Sequence, residues 1–228
     1  MKEDNNYSEA APEQVPEKKK AGKKKVSPDL KLDIGGTMGT LKDILLNPIA
    51  GLRNYIGQGN ILVSGIMFIV QCLLGGWFAV RLTKSMLGAA GSLVDGGTTA
   101  KILFTYFFIL IVTNVVNILA FFLVSIIRKN EKSLFQCVDM AAVKLVVTIP
   151  LTLLGIIFSF INYTVGVIFL MLIVGASIAY DASAVVGTAR IKSKLPIDVC
   201  IIWALSIIVF VIMVKLFGSS AATLAELI

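Results

Sequence analysis

Ile102 to Ile127 is a run of 26 residues without a single charge, closed by Lys101 on one side and Arg128-Lys129 on the other. A bilayer's hydrocarbon core of about 30 Å needs about 20 apolar residues at a helical rise of about 1.5 Å each. Inside lipid only a helix or a closed barrel satisfies its own backbone, so this run reads as a transmembrane helix with room to tilt. A buried helix of a soluble core is the weaker alternative, because four other stretches look alike. The sequence predicts spans at about 61–80, 102–127, 145–160, 164–180 and 199–217. The expected fold is thus an all-α membrane protein, a bundle of five transmembrane helices behind a disordered basic tail and an interfacial amphipathic helix.

Composition supports this division. Apolar residues make up 57% of the 228, above the usual 45–50% or so of soluble domains, and the excess lies after Gly59. The net charge of +7 is uneven: ten of the 21 Lys and Arg fall in the first 60 residues. Six of them form the cluster Lys18, Lys19, Lys20, Lys23, Lys24 and Lys25. Residues 1–29 hold no apolar cluster and are expected to be a disordered, charged, cytoplasmic tail. Its basic half suits the headgroups of an anionic leaflet, each nearby Lys contributing about 1 kcal/mol, or serves as a solvated spacer. No aromatics interleave the cluster, so nucleic acid is not an expected partner.

In residues 30–57, Leu41, Leu45, Ile49, Leu52 and Ile56 recur at helical spacing, with Ile44 and Tyr55 beside them. Lys42, Asp43, Asn47, Arg53 and Asn54 are the polar residues between. This amphipathic pattern, interrupted by Pro48, predicts one or two short helices lying in the interface or packed on the bundle. Residues 58–218 form the five-span domain and 219–228 a short tail. The third span carries Pro150, where a kink is expected, and is led by a short amphipathic helix over 133–144. Ile161-Asn162-Tyr163 is a tight turn into the fourth span. With no secretory leader visible, the first span is expected to act as an uncleaved anchor. Placing the N-terminus in the cytoplasm puts 17 of the 21 Lys and Arg inside, so the positive-inside rule favours N-in, C-out. The absence of an organelle-targeting signal points to a bacterial plasma membrane.

Few residues carry chemistry. There is no histidine, which removes His-dependent triads and HExxH metal sites. Cys72, Cys137 and Cys200 lie far apart and read as lone thiols, not a metal site. No phosphate-binding glycine loop, acidic metal cluster or activated serine motif appears, so neither an enzyme nor a cofactor is expected. Gly175, Ala179, Ser183 and Gly187 fall four apart, one small-residue stripe if the fourth span continues past Asp181. Such faces let backbones approach closely, and internal packing is favoured over a seam with a second copy of the chain. Gln71, Asn114 and Asn117 are polar groups within spans, read first as interhelical hydrogen bonds and second as contacts for a solute or ion. Asp139 and Asp181 are expected near the interface, where hydration makes a charge inexpensive.

The polar tail, ILLNPIAGLRNYI (Ile44 to Ile56) with its Pro48, and five closely spaced spans with a tight third-to-fourth turn resemble the Yip1 family of five-span membrane proteins, particularly its bacterial members. The resemblance covers residues 40 to 217. The N-terminal zinc ribbon common in the bacterial members is missing, since this tail has no cysteine. The resemblance implies an integral membrane protein without catalysis and, from eukaryotic relatives, partners in membrane trafficking. The leading expectation is a non-enzymatic scaffold or adaptor acting on membrane organisation or on a membrane or cytoplasmic partner protein. The alternative is a small transporter or permease-type subunit.

Overall fold

A computed structural model describes residues 34–46, 51, 54–56, 61–129, 132–188 and 195–217. The basic cluster from Lys18 to Lys25 and the tail after Phe217 lie outside these residues. Every regular element described is helical: α1 (Ile34–Leu46), α2 (Ile61–Met86), a 3-10 turn (Gly88–Leu93), α3 (Gly96–Ile127), α4 (Leu134–Ala142), α5 (Leu145–Phe158), α6 (Tyr163–Thr188) and α7 (Leu195–Phe217). Five stretches are long and apolar enough to cross a membrane: Ile61–Met86, Gly96–Ile127, Leu134–Phe158, Tyr163–Val186 and Ile197–Phe217. The chain is an integral, multi-pass membrane protein. The helices run past the apolar stretches because flanking polar residues continue each one by a turn or more.

The ends of the helices follow from local chemistry. Asp95 caps α3 by accepting the Thr98 N–H at 2.8 Å, and this bond holds its carboxyl below the usual carboxylate range. Ser133 and Gln136 form a reciprocal capping box at the start of α4, satisfying two donors that a helix start leaves orphaned. Asn162 accepts the Thr164 N–H at 2.9 Å, so α6 starts immediately after the turn closing α5.

The third span departs from the expected shape. Pro150 lies inside α5, which continues through it. The break falls earlier, at Val143–Lys144, where Val146 and Val147 donate to the carbonyls three residues back. The expected span at 145–160 and its leading helix are thus one membrane-length segment of two helices, α4 and α5, rather than a span with a surface helix beside it.

The main helix contacts close a circuit: α2 on α3, α3 on α7, α7 on α6, α6 on α5, and α5 back on α2. The proximal end of this ring holds the start of α2, the end of α3 with the start of α4, and the end of α6 with the start of α7. The distal end holds the α2–α3 and α5–α6 connections. Burial is concentrated proximally, where Ile44, Tyr55 and Ile56 pack with Ala120, Phe121, Val124, Cys137, Met140, Val143, Ala184 and Ile202. Of the two placements open for residues 30–57, packing on the bundle is therefore the one found for Ile44, Tyr55 and Ile56, while Leu45 of the expected stripe is exposed. Phe104, Phe108, Leu119, Met171, Ile208 and Val211 are exposed around the outside, as a lipid-facing belt requires.

The α2 and α3 backbones come close at Gly76, where a Cβ would lie 2.8 Å from the Leu103 carbonyl oxygen. At Gly65 of the same helix it would meet nothing within 4 Å. Gly76→Leu is expected to lose about 1–3 kcal/mol of stability by overpacking, and Gly65→Leu to stay near wild type. Thermal unfolding of both variants in mild detergent checks this.

Candidate functional site

The interior of the ring carries a line of polar side chains, running from proximal to distal along α5. Lys144, Thr148 and Thr152 stand four residues apart, on one face of the helix. Lys144 lies at the break between α4 and α5. Its Nζ donates to Asn117 Oδ1 of α3 at 2.7 Å and to Asp181 Oδ2 of α6 at 3.2 Å. Asn117 Nδ2 in turn donates to Ser206 Oγ of α7 at 3.3 Å. Asp181 is 0% exposed, Asn117 3% and Lys144 8%. One ammonium thus ties together α3, α6 and the broken span.

The carboxylate is not fully satisfied. Asn117 and Trp203 also face Asp181, yet neither its second oxygen, Oδ1, nor the Trp203 indole N–H closes a hydrogen bond. Thr148 Oγ1 is likewise buried without a partner. Further along, Thr152 Oγ1 donates to the Thr148 carbonyl at 2.7 Å. It can therefore only accept from Gln71 Nε2, at 3.0 Å, which fixes the Gln71 amide and leaves its Oε1 unpartnered. Buried polar groups normally find partners, so this row of orphans marks the interior as a place suited to water or a ligand.

Gln71 and Thr152 form the inner end of a cavity of about 410 Å³ that occupies the distal half of the ring. All five spans contribute to its wall, which is mostly apolar and carries no charged side chain. At its outer end lie Thr83, Met86, Tyr106 and Tyr163.

Two further polar clusters hold the proximal end. Ser64 Oγ donates to Asp139 Oδ1 at 2.6 Å and shares a 2.8 Å hydrogen bond with the Tyr55 hydroxyl. Burial pushes the Tyr55 phenol well above its ordinary range, and the Asp139 charge adds to this against the Ser64 bond. Arg128 engages Asp198 through both Nε, at 2.9 and 3.1 Å, and Nη2, at 2.6 Å. That hydrogen bonding raises the guanidinium's affinity for its proton further.

The expected site residues are redistributed by this geometry. Asp139 and Asp181 are not hydrated interfacial carboxylates: they are 1% and 0% exposed, enclosed because α4 and α6 pack their polar faces inward. Asn117 is a member of the central cluster, while Asn114 faces α2 and donates to Cys72 Sγ at 3.4 Å. The stripe of Gly175, Ala179, Ser183 and Gly187 does lie on one helix, since α6 runs to Thr188. Internal packing is not what it does at Gly175, which has open space around it, or at Ala179, which is exposed. The Gly187 surroundings lie outside the described residues. Lys144 is the residue the sequence reading did not single out, being one of the polar residues of the amphipathic stretch over 133–144. Its four-residue spacing to Thr148 and Thr152 was the available signal. No group of three or more metal-ligating side chains occurs among the described residues. The chain matches no protein-family model, no curated protein and no solved structure.

Removing one partner of a buried ion pair leaves an uncompensated charge and costs about 3–5 kcal/mol, whereas replacing both by apolar groups is often neutral. Asp181→Leu is therefore expected to lower the unfolding temperature strongly, and Lys144→Met with Asp181→Leu to recover most of the loss. Thermal melts of the two variants in detergent check the coupling.

Proposed function

We propose that this membrane protein moves a small solute across the bilayer, with the Lys144–Asp181–Asn117 cluster as the gate between the distal cavity and the proximal side. The observation that carries this reading is the ion pair itself. An ammonium and a carboxylate are buried within spans, at the point where the third span is broken. Ionisable groups inside spans are expensive and concentrate on solute and ion pathways, and transporters commonly place their sites at interrupted helices near the bilayer centre. The cavity supplies access from the distal face, and the orphaned Thr148 and Asp181 oxygens continue a polar route toward the pair. With the N-terminus in the cytoplasm of a bacterial cell, the cavity opens outward and the gate lies on the inner half.

Uptake by proteoliposomes of a panel of small radiolabelled solutes, both uncharged and anionic, tests this reading. At least one solute is expected to enter faster than into protein-free vesicles, and Asp181→Asn to reduce that entry tenfold or more. No protein-dependent entry for any solute overturns the reading.

One observation favours a second reading, a Yip1-like scaffold or adaptor. Tyr55, ahead of the first span, is locked to Ser64 and so to Asp139, which couples the segment following the basic tail to the bundle. On this reading a cytoplasmic or membrane partner bound by residues 1–29 is held rigidly at the membrane. Cross-linked purification from native membranes is expected to recover a stoichiometric partner that is lost when residues 1–27 are deleted.

A further inference from the structure

The distal cavity has a shape and chemistry of its own. Its lining runs along α2 from Gln71 to Met86 and along α6 from Tyr163 to Ile173, lengths of about 22 and 15 Å at the helical rise. A volume of about 410 Å³ spread over about 15–22 Å leaves a channel about 5–6 Å across, room for one hydrocarbon chain at carbon–carbon contact distances of about 3.5–4.0 Å. Phe78, Leu82, Leu110, Val167, Leu170 and Phe210 make the middle apolar.

Charge is kept away from the channel. Arg81, on the neighbouring face of α2, lays its guanidinium over the Phe160 ring, 3.4 Å from its centroid, and is not part of the lining. The polar groups at the two ends are neutral. At the inner end the Gln71 amide has spent its N–H on Thr152 and keeps an acceptor without a donor. At the outer end Tyr106 and Tyr163 contribute hydroxyls. A charged head would enter this space without a counter-charge, a severe desolvation penalty. A hydroxyl or amide head would supply what Gln71 Oε1 lacks.

We propose that the cavity binds a single-chain, uncharged amphiphile, one straight alkyl chain whose hydroxyl or amide head donates to Gln71. That this ligand is the transported solute rests on the transport reading above; the binding itself does not.

The test uses full-length protein in lipid nanodiscs with radiolabelled 1-octanol and octanoate, empty nanodiscs serving as the partitioning baseline. Octanol is expected to show a saturable component absent from empty discs, and octanoate to bind at least tenfold more weakly. Ala79→Trp and Leu170→Trp, which fill the channel from opposite helices, are expected to weaken octanol binding at least tenfold while melting close to wild type. Gln71→Leu is expected to weaken it three- to tenfold and to leave octanoate unchanged. No saturable octanol binding to well-folded wild type overturns the proposal, as does octanoate binding the more tightly. A phospholipid that native mass spectrometry finds retained in wild type, lost in Ala79→Trp and not displaced by octanol also overturns it, since the occupant is then an acyl chain of the membrane. Octanol binding without uptake of any solute would remove the transport role alone; uptake of solutes without octanol binding would remove the ligand class alone.

Discussion

An ammonium with a single, partly satisfied carboxylate partner inside a lipid-embedded bundle is the constraint on which the rest of this structure depends. In a low dielectric neither charge is tolerable alone, and the pair is acceptable only with good geometry and supporting hydrogen bonds. Lys144 obtains that support from three directions: Asp181 on α6, Asn117 on α3 and, through Asn117, Ser206 on α7. Between lipid-facing helices there is little hydrophobic force to set register. Polar contacts that must be made therefore fix which faces meet. Gln71 with Thr152, Ser64 with Asp139 and Arg128 with Asp198 repeat the principle between α2 and α5, between α2 and α4, and between the end of α3 and α7.

The sequence made the spans legible because lipid imposes a length and an apolarity that a linear chain displays openly. Five runs were expected and five membrane-length stretches are found. What the sequence did not display is direction. Asp139 and Asp181 stand close to span ends, where a linear reading assigns water, yet inward-facing positions on packed helices exclude it. Lys144 closes the amphipathic stretch before Leu145 and reads as one of its polar residues until helix packing brings Asn117 and Asp181 to its ammonium. At Gly175 and Ala179 the small-residue stripe on α6 shows the complementary point: spacing shows that residues share a face, but not whether another helix of the chain is there to use it. Pro150 shows that a potential breaker need not set the break, since the interruption lies one to two turns earlier, at the charged residue.

The two ends of the ring divide the work. Large side chains from α1, the segment around Tyr55 and every span interlock proximally, while the distal half leaves a continuous channel. The glycines of α2 fit this division: Gly76 allows α3 to approach on one side, and Gly75 keeps the wall of the channel thin on another. One five-helix body thus has a densely packed end and a hollow end.

The short turn Ser159–Asn162 has a consequence for how the chain enters the membrane. It leaves α5 and α6 no choice but to lie antiparallel, which brings Lys144 and Asp181 level on neighbouring helices although 37 residues separate them in sequence. Inserted singly, each helix would carry a charge whose transfer to the bilayer centre costs about 2.5–3.5 kcal/mol on insertion scales. Inserted as a hairpin, the two arrive already neutralised. Pairing the two helices through so short a turn therefore lowers the cost of placing either charge in the bilayer.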